Sequence, residues 1–190
     1  MPYVIRSIRS DEWLAVKELR LRALKDPVAH LAFLETFAQA SARPDTYWQE
    51  RAATASEGAL EAQQIIAEDD DGTWVASLTV FLEEPGTTDW AGLPVERKQG
   101  HVVGVFVRPE HRGSGLTRAL FDAGLEWAWT RGVERVRLIV HEDNARARAF
   151  YRKVGFVASG VTIALAQSAT GTQSATGAEK SELEMVYERV

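Results

Sequence analysis

The stretch from Val102 to Thr117 constrains the fold of this chain more than any other. An apolar run, Val102 to Val107, stops at Pro109 and passes through Gly113 and Gly115. A helical pattern follows, with Leu116, Leu120, Gly124 and Trp127 on one stripe and Phe121, Leu125 and Ala128 beside it. Proline has no amide proton and cannot extend a strand ladder, so strand, turn and helix must succeed one another directly. The amides of Gly113, Ser114, Gly115, Leu116 and Thr117 have no carbonyl partners inside that helix. They point out of its first turn, where the helix dipole is positive. Such a turn accepts a phosphate or pyrophosphate, provided no side chain holds the ligand off the backbone. An ordinary tight strand-to-helix turn is the alternative reading. The turn is not a Walker loop, because no Gly-Lys-Ser/Thr follows. It is not a Gly-x-Gly-x-x-Gly dinucleotide turn either, because Arg118 stands where the third glycine belongs.

A second cluster lies downstream. The β-type run Val136 to Val140 ends in His141-Glu142-Asp143-Asn144, a helical stretch covers Ala145 to Lys153, and Gly155-Phe156 closes it. Arg112-Gly113-Ser114-Gly115-Leu116-Thr117 resembles the (Gln/Arg)-x-x-Gly-x-(Gly/Ala) signature of the GCN5-related N-acetyltransferase (GNAT) superfamily. Asn144 with Phe150-Tyr151-Arg152-Lys153-Val154-Gly155-Phe156 resembles its second motif. Thr117 departs from the first, standing where Gly or Ala is usual. Glu18 to Leu24 and Ala42 to Trp48 are similar to a bacterial branch of unassigned substrate.

The resemblance implies an α/β GNAT fold: a mixed central sheet flanked by helices, with parallel strands splayed around the acyl-CoA arm. It implies acetyl-CoA as co-substrate, with its pyrophosphate on Arg112 to Thr117 and its pantetheine along Val105-Phe106-Val107 and against Asn144. It implies direct attack by a primary amine in a ternary complex. Tyr151 would then protonate the leaving thiolate, since a phenol of pKa about 10 holds its proton at neutral pH. Core packing beside Phe150 is the alternative for Tyr151, and a plain helix cap is the alternative for Asn144. An ammonium must lose a proton before it attacks. Candidate bases are Glu83 and Glu84, at a strand end before a long loop, and His101, which starts the next strand. For the glutamates a solvated strand end is the competing reading. His141 is a weaker candidate, and His30 and His111 read as surface residues. The acceptor could be a small-molecule or a peptide amine. A non-catalytic acyl-CoA-binding regulator or sensor of the same fold would need the glycine turn without Tyr151 as an acid. A structural partner-binding module has only the loop around Trp90 behind it.

Length and composition fit these readings. The 190 residues suit a single N-acetyltransferase domain, with a cofactor core at about 101–156. Acceptor-side segments are expected at about 10–56 and 85–99. A net charge of −5 and no basic face argue against nucleic acid. The absence of cysteine excludes disulfides, thiolate metal sites and a cysteine acyl-enzyme; no metal is expected. No signal-peptide core or membrane-length run is seen, so a cytoplasmic protein without a membrane partner is expected.

Along the chain, Tyr3 to Ile8 alternates as a first strand. Ser10 would cap a helix carrying Trp13, Val16, Leu19 and Leu24 inward. Helical zones follow at Leu31 to Ala40 and from Asp45. Gln63 to Ala67 and Thr73 to Leu82 form a hairpin over Asp70-Asp71-Gly72. Pro85 to Gln99 is a long loop whose Trp90 could touch substrate or a second subunit in a homodimer. Val157 to Leu165 and Leu183 to Val190 are strands. Between them Gln167 to Gly171 is echoed by Gln173 to Gly177, which reads as a flexible loop at about 166–180.

Overall fold

A computed structural model of the chain describes residues 3–89, 92–164 and 181–189. Trp90 and the loop at 166–180 lie outside the described residues. The chain runs through strand β1 (Val4–Ser7), helices α1 (Trp13–Leu24), α2 (Phe37–Ser41) and α3 (Asp45–Thr54), and strands β2 (Ala62–Glu68), β3 (Trp74–Glu83) and β4 (Gln99–Val107). It continues with α4 (Leu116–Thr130), β5 (Arg135–His141), α5 (Ala145–Lys153), β6 (Val157–Ala164) and β7 (Ser181–Glu188). The strands form one mixed sheet in the order β1-β2-β3-β4-β5-β7-β6. Every neighbouring pair is antiparallel except β4 and β5.

That parallel pair is short. Gly100, His101 and Val102 pair with Val136, Arg137 and Leu138, and the ladder then stops. β4 continues to Val107 and β5 to His141 without meeting again. The cause lies in β4. Its register against β3 shifts between Val103 and Phe106, and Gly104 sits inside the shift with φ +64°. Few residues other than glycine adopt that angle, and the resulting bulge bends the strand out of the plane shared with β5.

Two apolar clusters hold the layers together. On one face α4 presents Leu120, Phe121, Leu125 and Ala128 to Ile65, Leu78, Val80, Val102 and Val136. Gly124 allows the close approach: a Cβ there would lie 3.1 Å from side-chain carbons of both Leu78 and Val80. On the other face α1 and α3 bury Val16, Leu19, Trp48 and Ala52 with Ile8, Ile66 and Phe106.

Some local expectations are corrected. Ser10 does not cap α1. Glu12 holds that position, and its carboxylate accepts from the Arg9 amide at 2.7 Å while bonding Arg6. The zone Leu31 to Ala40 is not one helix. A 3-10 turn covers Ala29–Leu31, and Thr36 with Gln39 then builds a capping box that starts α2 afresh. The final strand starts two residues earlier than its apolar alternation suggests, at Ser181.

Candidate functional site

The split between β4 and β5 opens into two adjoining cavities. The first, about 600 Å³, lies beside the glycine turn. Val105, Phe106, Val107, Arg112, Gly113, Gly115, Thr117, Asn144 and Tyr151 all line it. Gly113 and Gly115 have φ +80° and +87°, and an added Cβ would meet nothing within 4 Å at either. Glycine is required here by backbone angle and by the open approach to the amides, not by crowding. Beyond Val102 the inner edge of β4 has backbone groups with no β5 partner. Such an edge is satisfied by an extended ligand arm laid alongside it.

Two expected cofactor residues turn their side chains elsewhere. Leu116 is buried in the core, and the Ser114 hydroxyl donates to the His111 carbonyl at 2.6 Å. Arg112 lines the cavity, but its guanidinium is engaged: Nε donates to the Val107 carbonyl at 3.0 Å, and Nη2 pairs with Asp26. It ties the turn to the end of β4 and to the segment after α1. Other cations line the same cavity: Arg118, Arg146 and Lys153. Sequence reading passed over them because Arg146 and Lys153 sit within a helix rich in alternating Arg and Ala, where charge reads as solvation. The overlooked signal was their placement at both ends of the helix that follows Asn144.

Asn144 caps α5. Its Oδ1 accepts from the Ala147 amide at 3.2 Å, and its Nδ2 donates to the Leu31 carbonyl at 3.4 Å. Tyr151 lies in the last turn of α5, among Phe121, Phe150 and Phe156. It belongs to the aromatic packing and also lines both cavities. Burial pushes its phenol up to about 12, so it holds its proton across the physiological range.

The second cavity, about 380 Å³, shares Ala32, Phe33, Val105, Asn144 and Tyr151 with the first. Phe81, His101, Val103, Leu138, Val140 and Glu182 form its sheet side, and Arg20, Arg51 and residues 30–35 cover it. The loop from Pro85 does not line it among the described residues. That loop is fastened elsewhere, with Val95 buried and Asp89 3.0 Å from Arg137.

Of the expected bases, Glu83 and His101 meet each other and Glu84 does not join them. Register places Phe81, His101 and Arg137 in one row across β3, β4 and β5. His101 Nδ1 is 3.0 Å from Glu83 Oε1. Arg137 grips the same carboxylate at 2.6 and 2.8 Å, and Gln99 donates to it at 2.7 Å. Burial alone would raise the Glu83 carboxyl, but the bonds and charges of His101 and Arg137 overrule it and hold it at about 2. His101 is pushed down by burial, its bond to Glu83 opposing. Glu84 lies on the surface, 3.3 Å from Lys98. His141 is buried and accepts from the Asp143 amide at 3.1 Å, His30 is exposed at the rim of the second cavity, and His111 meets the Tyr3 hydroxyl at 3.1 Å.

A residue that sequence reading missed lies in the second cavity. Glu182 on β7 stands opposite His141 on β5 and is only 8% exposed. Burial pushes its carboxyl up to about 7, and no ion pair or hydrogen bond within the described residues engages its side chain. The apolar alternation of the final strand rests on one face, Leu183, Met185 and Tyr187. The opposite face, with Glu182 and Glu184, carried the signal: carboxylates inside a sheet.

A mixed sheet split at its parallel pair, with a glycine-capped helix opening at the split, defines a class of α/β protein. The chain belongs to the acetyltransferase (GNAT) family, whose description residues 22–156 match. A mycothiol acetyltransferase from Beutenbergia cavernae is 36% identical over 92 residues, which are 48% of this chain and 27% of that relative. The chain therefore spans about a quarter of the length of that curated relative. An acetyltransferase of the GNAT family from Streptococcus pneumoniae superposes with a TM-score of 0.74 at 14% identity, covering 100% of both chains. The PaiA N-acetyltransferase of Thermoplasma acidophilum, solved in complex with coenzyme A, gives 0.68 at 13% identity, covering 99% of each chain. Among the described residues no helix is long and apolar enough to cross a membrane, and no cluster of His, Asp and Glu has metal-binding geometry.

Proposed function

We propose that the protein transfers an acetyl group from acetyl-CoA to a primary amine. The observation that carries this reading is the meeting of two cavities at Tyr151, Asn144 and Val105. One cavity has the glycine turn, cations and an open strand edge that suit a nucleotide with an extended pantetheine arm. The other is a largely apolar chamber with one unengaged carboxylate. In this reading the first holds acetyl-CoA and the second holds the amine, so the reacting atoms meet at the shared wall. The GNAT relatives named as acetyltransferases, and the neighbour solved with coenzyme A, support the assignment.

The chain's own residues divide the work. The amides of Gly113 to Thr117 take the pyrophosphate, aided by Arg146 and Lys153. The free edge Val105 to Val107 orients the arm, and an amide there polarises the thioester carbonyl. Glu182 takes the proton from the ammonium and returns it to solvent. The amine nitrogen then bonds to the acyl carbon as the carbon–sulfur bond breaks, and Tyr151 gives its proton to the thiolate. The acylated nitrogen loses its second proton to solvent, and solvent restores the phenol. Glu182 replaces Glu83 and His101 here because a base with pKa near 7 is matched to neutral pH, whereas Glu83 is already committed to Arg137. Positioning both reactants in one cleft supplies much of the rate.

The test is thiol release from acetyl-CoA across a panel of primary amines and peptides. Amine-dependent release supports the reading. Tight CoA binding without turnover of any amine would favour the non-catalytic sensor instead.

A further inference from the structure

We infer that the acceptor carries an anionic group, a carboxylate or a phosphate, some distance from its amine, and that Arg51 with Arg20 receives it. This rests on the acetyl-transfer reading and names the class of amine.

The second cavity is charged asymmetrically. Arg20 on α1 and Arg51 on α3 both line it, and both also line a narrow recess against Gln64, Ser77, Thr79 and Gly104. These contacts put the arginines on the β3 side of β4. Glu182 lies across the split, on β7 beyond β5. Adjacent strands are about 4.8 Å apart, so even two strand spacings put Gly104 and the Glu182 strand about 10 Å from each other.

The arginines are only partly neutralised from within. Arg20 is fixed: its guanidinium stacks 4.4 Å from the Phe33 ring centre and meets Glu35 at 3.3 Å. Glu35 is shared with Arg43, also at 3.3 Å. No ion pair or hydrogen bond within the described residues engages the Arg51 guanidinium, although the residue is partly buried. Burial and the nearness of Arg51 both weaken the hold of Arg20 on its proton, as expected for two cations crowded together. The contrast is Arg137 in the same sheet, which is matched by Glu83, Asp89 and Glu184. A half-buried cation without a counter-ion is costly unless a ligand completes it. Arginine suits the task because its planar fork holds carboxylate and phosphate by paired bonds. Phe81, Val103 and Leu138 line the space between and suit an apolar spacer. The site therefore fits an ω-amino acid or an aminoalkyl phosphate better than a plain alkylamine.

The experiment compares matched primary amines of one chain length, ending in a carboxylate, a phosphate or a neutral amide, as acceptors for the wild type, Arg51→Gln and Arg51→Lys. The wild type should favour an anionic partner over the amide by tenfold or more in kcat/KM, mainly through KM. Arg51→Gln should collapse that preference toward parity, and Arg51→Lys should restore part of it. The better of the carboxylate and phosphate series identifies the anion. Calorimetry of the anionic amines with CoA present gives a readout free of turnover. Arg51-dependent binding of an anionic amine without turnover would sink the transfer reading while leaving Arg51 with Arg20 as the anion-receiving pair. Turnover with no preference for an anion, or a preference untouched in folded Arg51→Gln, would overturn the inference and leave the transfer reading standing.

Discussion

His101 Nδ1 sits 3.0 Å from Glu83 Oε1, and the same oxygen accepts from Arg137 at 2.6 Å. The end of β3, the start of β4 and the middle of β5 are thus pinned at one carboxylate, just where the parallel ladder holds before it splits. Both residues have the right chemistry for a base, and in this arrangement both also hold the cleft in shape.

Glu83→Ala should therefore act on stability more than on chemistry. It leaves Arg137 buried with a broken network, a change of the kind that costs about 3–5 kcal/mol. Denaturant melts should show the loss. A folded Glu83→Ala protein of normal stability and abolished turnover would contradict this.

The same carboxyl sets an acid limit. Its folded pKa, about 2, is below its ordinary value, so its stabilisation is present above that ordinary value and fades as pH falls toward 2. Melting temperature against pH should drop over that window, and less steeply in Glu83→Gln.

Glu182 has the opposite sign. Its carboxyl is raised to about 7, so the protonated form favours the fold, and that contribution is lost as pH rises from the ordinary carboxylate range through 7. Activity should run the other way, with kcat/KM increasing as Glu182 ionises near pH 7. Glu182→Gln should lower turnover by about tenfold or more and erase that limb of the profile. An unchanged profile would remove Glu182 from the reaction.

Gly115→Val should weaken CoA binding, because valine resists φ +87° and places methyl groups over the amides. Calorimetry with CoA checks this, and undiminished affinity in a folded variant would count against the glycine turn as the phosphate site.

Much of this was legible in the sequence, for particular reasons. Pro109 with Gly113 and Gly115 leaves one route from β4 into α4, and the apolar stripe from Leu120 to Ala128 fixes which face of α4 is buried. Asn144 and Tyr151, which line both cavities, stand out in the sequence because their spacing from Gly155-Phe156 is local. The proposed base was not legible. Glu83, His101 and Arg137 come from three strands, and only register brings them together. Glu182 is raised by burial alone, which no linear pattern reports. The splay depends on the bulge at Gly104, one glycine in an apolar run.

Tyr151→Phe should separate chemistry from binding. Removing only the phenolic proton should cut kcat by about ten- to ten-thousand-fold while CoA affinity stays near that of the wild type. Equal turnover, with chemistry rate-limiting, would return Tyr151 to the aromatic cluster alone.

In the proposed reaction the two cavities bring an acyl thioester and an amine together at Tyr151. Its most direct test is a paired measurement on one reaction mixture: thiol released from acetyl-CoA, and the amine product weighed by mass spectrometry. Thiol and acetylated amine should appear in equal amounts, both dependent on the acceptor. Saturable CoA binding with no acetylated product from any primary amine, carboxylate- and phosphate-bearing ones included, would contradict it.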